Sequence, residues 1–187
     1  MIVEEALRQA TVVGLEGLSL GPLAEALKMS KSGLFAHFRS REALQLAVVD
    51  TAVERFEARV IGPALRRRGA AQRLEMLFNG WLRWVGGNGE SAGCLFIIMT
   101  QEYDARPGAL RERLAEFQGG LRALLTRLFR EGVAEGVFRS DADPRQCAFE
   151  LHGLVLSFQH AAHLLDDRKA RAQAVAGLRR LLRSLEP

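Results

Sequence analysis

Between a handful of glycines and prolines, apolar residues recur every three or four positions along the chain, the period of helices with one buried face. No stretch alternates as a half-buried strand would, so the pattern predicts an all-α protein of about nine helices. A first stripe, Ile2, Val3, Ala6, Leu7, Ala10 and Val13, stops near Gly14 and Gly17. Ser19 is placed to cap a second, short helix through about Leu27, with Pro22 still in its first turn, where a missing N–H costs little. Ser30 caps a third, Lys31 to about Phe38. Ser40 caps a fourth, which runs from Arg41 to roughly Val60 before Gly62 and Pro63 interrupt it. Further helices are predicted over about 70 to 85, from Cys94 to Tyr103, and from Pro107 to near Gly136. One more follows the Asp143-Pro144 cap, and a last follows Asp166 and Asp167.

Two short helices joined by a tight turn and braced on either side form a helix-turn-helix, whose second helix enters the DNA major groove. Leu23, Ala24 and Leu27 can face Leu34 and Phe38 as a small core, leaving Lys31, Ser32, Gly33, Ala36 and His37 outward. Short side chains at Ser32, Gly33 and Ala36 let the backbone press close to the bases. Lys31 can reach a guanine edge or a phosphate, and Ser32 can bond either kind of base edge. His37 and Arg41 are expected on the phosphate backbone. The spacing alone equally fits a helical hairpin with a solvated charged face.

Charge sharpens this picture only locally. The chain carries 26 Lys and Arg against 22 Asp and Glu, a net +4. Residues 1 to 50 hold five bases against six acids, so the excess lies further on, notably at Arg66, Arg67 and Arg68. From Ser30 to Arg41, however, there are three bases and no acid, a local positive face suited to phosphate. Cys94 and Cys147 lie far apart without metal-ligand spacing, as in a reduced cytosolic protein. No run approaches the roughly 18 apolar residues of a membrane span, and no charged-then-apolar signal opens the chain. A cytoplasmic protein with no membrane partner is expected.

The run Ser19 to Leu44, "SLGPLAEALKMSKSGLFAHFRSREAL", resembles the N-terminal signature of the TetR/AcrR family of transcriptional regulators. Leu23-Ala24 match the pair in the first helix of the motif, and Ser30 matches the turn serine. Leu34 to Phe38 match the end of the recognition helix, and Ser40, Arg41, Glu42 and Leu44 the start of the fourth helix. Lys28 departs from the pattern where the family often uses a glycine with positive φ, so strain or a different turn is expected. Phe35 replaces the usual tyrosine, and Gly21 stands where a basic residue sometimes grips phosphate. The family's basic arm before the first helix has no counterpart ahead of Met1, so fewer phosphate contacts are expected. The resemblance implies DNA contacts from Ser19, Ser30, Lys31, Ser32, Gly33, Phe35, Ala36, His37 and Arg41. It divides the chain into a DNA-binding domain, residues 1 to 46, and a helical effector-binding and dimerisation domain, residues 47 to 187.

Residues 91 to 114 resemble a stretch in one branch of the family's C-terminal domains, and there only architecture carries over. Phe78, Trp81, Trp84, Phe96, Met99, Tyr103 and Phe117 are the large apolar side chains of the middle helices. Their spacing fits a plain core as well as a pocket for a small hydrophobic or aromatic effector, with Glu102 or Gln118 as polar handles. The last two helices offer leucine and phenylalanine with small residues at Gly153, Ala161, Ala162 and Gly177, which suits a homodimer on a palindromic double-stranded operator.

Other chemistry finds no complete set. The "GGNG" run at 86 to 89 lacks the ending of a phosphate loop and a preceding strand. His152, His160 and His163 lack an acidic or cysteine partner for a metal. Glu102 and Asp104, two apart on a helix, point apart. No catalytic residue, metal or cofactor is expected. The reading is a TetR-like regulator, a repressor released by an effector. Its rivals are a DNA-binding regulator without an effector, and a helical interaction protein or enzyme with a vestigial helix-turn-helix.

Overall fold

A computed structural model of the chain describes residues 1–86 and 92–187, with the side chains of all of these except Phe35 and residues 92–94. The described residues are helical and contain no strand: α1 (Ile2–Val13), α2 (Leu20–Ala26), α3 (Lys31–His37), α4 (Arg41–Phe56), a π turn (Glu57–Ile61), α5 (Gly62–Leu65), α6 (Ala70–Val85), α7 (Ala92–Tyr103), α8 (Ala109–Ala134), α9 (Pro144–His163) and α10 (Ala170–Ser184). The helix is continuous over residues 41–65, so the described residues hold nine helical stretches. The expected stop at Gly62 and Pro63 does not occur. The π turn displaces the carbonyl ladder by one residue, so Pro63 falls within the first two positions of α5, where an amide hydrogen has no helical partner to lose.

Several termini follow from single side chains. Ser30 accepts from the Gly33 amide at 3.0 Å and Ser40 from the Ala43 amide at 3.0 Å, closing the first turns of α3 and α4. Asp143 accepts from Arg145 at 2.9 Å, with Pro144 in the first turn of α9. Ser19 holds the N-cap position of α2, but its hydroxyl makes no capping bond. The first turn of α6 is capped from a distance instead, by Glu135, whose carboxylate accepts from the Ala70 amide at 2.9 Å.

Two compact units emerge. The first joins residues 1–56 to 87–117; the second joins 57–86 to 118–187. The first unit thus includes α7 and the start of α8, which meet α1 and α4 respectively. In the first unit α1 lies on α4 and α7, and α2 on α1 and α3. The face of α4 bearing Leu44, Val48, Val49, Ala52, Val53 and Phe56 is buried. The Phe56 ring meets Phe96 edge-on at 5.9 Å and Phe117 edge-on at 5.7 Å, and Phe96 and Phe117 lie 4.6 Å apart. Such aromatic pairs add about 0.5–1.5 kcal/mol each beyond the area they bury.

In the second unit α6 packs on the π turn, α5, α9 and α10, and α9 pairs with α10. Gly132 admits the Phe138 ring, which a Cβ there would overlap, and Phe138 lies 5.8 Å from Phe129. By sequence the first unit carries nine Lys and Arg against twelve Asp and Glu, a net −3. The second carries seventeen against ten, a net +7.

Candidate nucleic-acid interface

The helix-turn-helix is built on a few apolar anchors. Leu23 and Ala24 of α2 and Leu34 of α3 are buried, with Leu27 and Phe38 half-buried at the margin. Leu34 fixes the roll of α3, and with it buried, Lys31, Ser32, Ala36 and His37 are all exposed. Gly33 is half-buried beneath the cap: a Cβ there would stand 3.1 Å from the Ser30 hydroxyl. Ser30 is exposed yet committed, since its oxygen accepts from Gly33 and lies 3.1 Å from the Ser32 hydroxyl. Ser19 is exposed at the start of α2. The side chain of Phe35 lies outside those described.

The turn between α2 and α3 is made by Lys28 at φ 52, in the left-handed region that a glycine would occupy without strain. Gly21 also finds its explanation. The Lys31 side chain crosses over it, with Cε and Nζ 3.7 and 3.9 Å from where a Cβ would stand. A cation therefore lies over the start of α2 although none is encoded there.

Behind this face, the α1–α2 turn is fastened by residues far away in sequence. Leu15 is fully buried, and both polar groups of its backbone are met by side chains: its amide donates to Glu102 Oε2 at 2.9 Å, and its carbonyl accepts from Gln45 Nε2 at 2.8 Å. Gly14, at φ 72 and ψ 174, leaves room for the Glu102 carboxylate. Next in the chain, Glu16 Oε1 accepts from the hydroxyl of Tyr103, while Glu16 Oε2 lies 3.6 Å from Arg41 Nη2 and 3.4 Å from Arg106 Nη1. Arg41 also donates to the Glu16 carbonyl, and the Arg106 guanidinium sits 5.9 Å from the centre of the Tyr103 ring. The hydroxyl bond from Tyr103 holds the Glu16 carboxyl below its usual range, and burial together with that carboxylate pushes the Tyr103 phenol up.

The residues expected around an effector are all buried, but they fall in different units. Phe96, Met99, Tyr103 and Phe117 belong to the first; Phe78, Trp81 and Trp84 belong to the second. Tyr103 spends its hydroxyl on Glu16, and Glu102 spends its carboxylate on Leu15. Trp81 faces the His152 ring at 5.3 Å. Gln118 Oε1 is buried without a partner among the described residues. Of the other histidines, His163 Nε2 bonds the Val85 carbonyl at 2.9 Å and His160 is exposed. The described residues include no group of three or more His, Cys, Asp and Glu placed to hold a metal, and no helix long and apolar enough to cross a membrane.

Along α9 and α10 runs a groove of about 530 Å³ lined by Leu154, Phe158, Ala161, Ala174 and Arg180 among others. Gly177, expected to admit a partner, is filled from within: a Cβ there would stand 2.6 Å from Leu154 Cδ2. Gly153 by contrast faces open space, and Phe149, Leu156, Leu164 and Leu165 are exposed on or just beyond α9.

Sequence reasoning passed over Glu16 and Gln45 altogether. The available signal was slight, an amide in the apolar stripe of α4 and an acid in a glycine-flanked turn.

Residues 2–48 match the family model for bacterial regulatory proteins of the tetR family, and residues 70–178 match that for the tetracyclin repressor-like C-terminal domain. No curated protein matches the chain. Among solved structures, a TetR-family transcriptional regulator from Cytophaga hutchinsonii is 22% identical with a TM-score of 0.87, over 99% of this chain and 92% of that one. A TetR transcriptional regulator from Chloroflexus aurantiacus is 21% identical with a TM-score of 0.89, over 99% and 93%. AibR in complex with isovaleryl coenzyme A and operator DNA is 25% identical with a TM-score of 0.75, over 100% and 96%.

Proposed function

Because the chain belongs to the tetR family of bacterial regulatory proteins, we propose that it is a cytoplasmic, homodimeric repressor that binds a palindromic operator and releases it on taking up a small hydrophobic or aromatic effector. The observation that carries the reading is the roll of α3. Leu34 is buried and Lys31, Ser32, Ala36 and His37 are exposed, the arrangement a recognition helix needs to meet base edges. Lys31 and Ser32 are assigned to bases, and His37 and Arg41, with Ser19 at the start of α2, to the phosphate backbone. Ser30 and Gly33 serve by shaping the helix start, and Ala36 by allowing close approach. Phe35 stays with this set on the resemblance alone.

The dimer is assigned to α9 and α10. Their groove, the open surface at Gly153 and the exposed Phe149 and Leu156 support it, as does the two-fold symmetry that a palindrome requires. The functional division into a DNA-binding domain, residues 1 to 46, and an effector and dimer domain, residues 47 to 187, belongs to the same reading. For the effector, support comes from the buried aromatic side chains within each unit, Phe96, Tyr103 and Phe117 in the first and Phe78, Trp81 and Trp84 in the second, which suit an apolar ligand. That AibR carries both an acyl thioester of coenzyme A and operator DNA supports a two-ligand switch on this fold.

The test is capture of genomic fragments on the full chain at moderate salt. An enriched palindrome is expected. Lys31→Ala should alter sequence preference, whereas His37→Ala should lower affinity for all sequences alike. No enrichment over bulk DNA, or identical effects of both variants, overturns the assignment. Thermal shifts with aromatic compounds and acyl coenzyme A thioesters test the effector, since a ligand that binds only the folded state must raise the melting temperature.

A further inference from the structure

Arg41 is placed for phosphate by its position at the start of α4, directly after the recognition helix, yet its guanidinium is held by Glu16 through both carboxylate and carbonyl. Glu16 is itself hydrogen-bonded on its other oxygen. The nearly buried Tyr103 holds Oε1 from below, and so presents Oε2 to Arg41 and Arg106. A fixed, singly charged oxygen facing two arginines is what a DNA phosphate offers. We propose that Glu16 is an internal phosphate mimic that competes with the DNA backbone for Arg41 and Arg106, and so sets the DNA affinity of the unit below what its arginines could give.

Magnitudes decide whether DNA can win that competition. The arginine side chains are 47% and 59% exposed and that of Glu16 is 38% exposed. Ion pairs exposed to this degree are worth at most about fivefold in an equilibrium constant. A phosphate contact carries in addition the release of a condensed counterion, so DNA contests the arginines at low salt without taking them outright. The Tyr103 bond is of another kind, since that residue is only 6% exposed and is anchored in the core of the unit. Glu16 is thus an affinity-determining residue that acts on DNA only through the cations it withholds. The unit has a net charge of −3 to begin with, so each cation withheld weighs heavily.

The inference rests on the proposed DNA binding, and one experiment separates the two. The full chain is titrated onto a mixed-sequence 30-base-pair duplex from 20 to 200 mM salt. Wild type is compared with Glu16→Gln, Arg41→Gln and the double variant. Glu16→Gln keeps an oxygen for Tyr103 and removes only the charge, so a thermal melt close to wild type is expected. Binding should tighten by up to about fivefold per arginine freed at 50 mM salt, the ceiling set by an exposed ion pair, and the slope of log K against log salt should steepen by up to about 0.9 per arginine. Arg41→Gln should change little alone and should cancel much of the gain in the double variant. A Glu16→Gln protein that binds no more tightly, with an unchanged slope, while wild type binds normally, overturns the phosphate mimic alone. An Arg41→Gln loss that is equal with and without the Glu16 carboxylate does the same. Wild type that fails to bind the duplex at 20 mM salt overturns the DNA-binding reading along with it.

Discussion

Replacing Gly14 by alanine tests the fastening of the α1–α2 turn, and its cost can be built from two separate parts. The first is backbone. At φ 72 and ψ 174 Gly14 occupies a region that is essentially glycine's alone, and holding an L residue there costs about 1–3 kcal/mol. The second is the lost bond. A Cβ would overlap Glu102 Oε1, with the carboxyl carbon 3.0 Å away. The end of that side chain is free to swing, so the overlap itself is cheap, but in swinging it releases the buried Leu15 amide. A hydrogen bond to a charged group contributes about 1.5–3 kcal/mol. Together Gly14→Ala should cost roughly 2.5–6 kcal/mol, which for a chain of this size lowers the melting temperature by on the order of 10 °C. The two parts separate in a double-mutant cycle followed by thermal denaturation. In a Glu102→Ala background the second part is already gone, so Gly14→Ala should cost only about 1–3 kcal/mol there. Equal costs in the two backgrounds would refute the account, as would a Gly14→Ala protein melting with the wild type.

Three further outcomes are expected. Lys28→Gly relieves a left-handed residue at a strain of about 1–2 kcal/mol, less about 0.5–1 kcal/mol for glycine's extra freedom when unfolded, and should raise the melting temperature by a degree or two. His152 lies against Trp81, and burial, with Arg122 second, lowers its pKa from 6.5. The unfolded chain therefore takes up this proton first, so stability should fall as pH drops through 6.5, and denaturant melts of His152→Gln at pH 5 and 7.5 should show a smaller difference than wild type. Burial, seconded by Glu150, pushes the Cys147 thiol up, so peptide mapping after iodoacetamide should find it unlabelled in the native protein and labelled in denaturant.

How far the fold could be read from the chain depended on the range of the interaction. Ser30, Ser40 and Asp143 act on amides two or three residues away, and each caps the helix that its position announces. Leu34 and the short residues around it fixed the outward face of α3 for the same reason, and the unfamiliar Lys28 marked a real left-handed turn. The π turn left no such mark. Nothing in "EARVI" distinguishes it from α-helix, and only its effect on Pro63 shows that the ladder has shifted. The polar fastening of Leu15 and Glu16 was equally hidden, because its partners stand 30 and 87 residues away. Tyr103 and Glu102 have the polar atoms expected of pocket side chains, and those atoms bond Glu16 and Leu15 in the α1–α2 turn. Gly177 counted as a small residue for a partner, and the space belongs to Leu154 of its own chain.

The division of charge between the two units bears on how an operator is found. On the proposed reading, the unit of net −3 contributes little attraction to a polyanion beyond a Debye length, and the chain's overall +4 is owed to the +7 of the second unit. Grip on a duplex would then rest on short-range contacts made by the acid-free stretch from Ser30 to Arg41, which salt weakens but which sequence can sharpen.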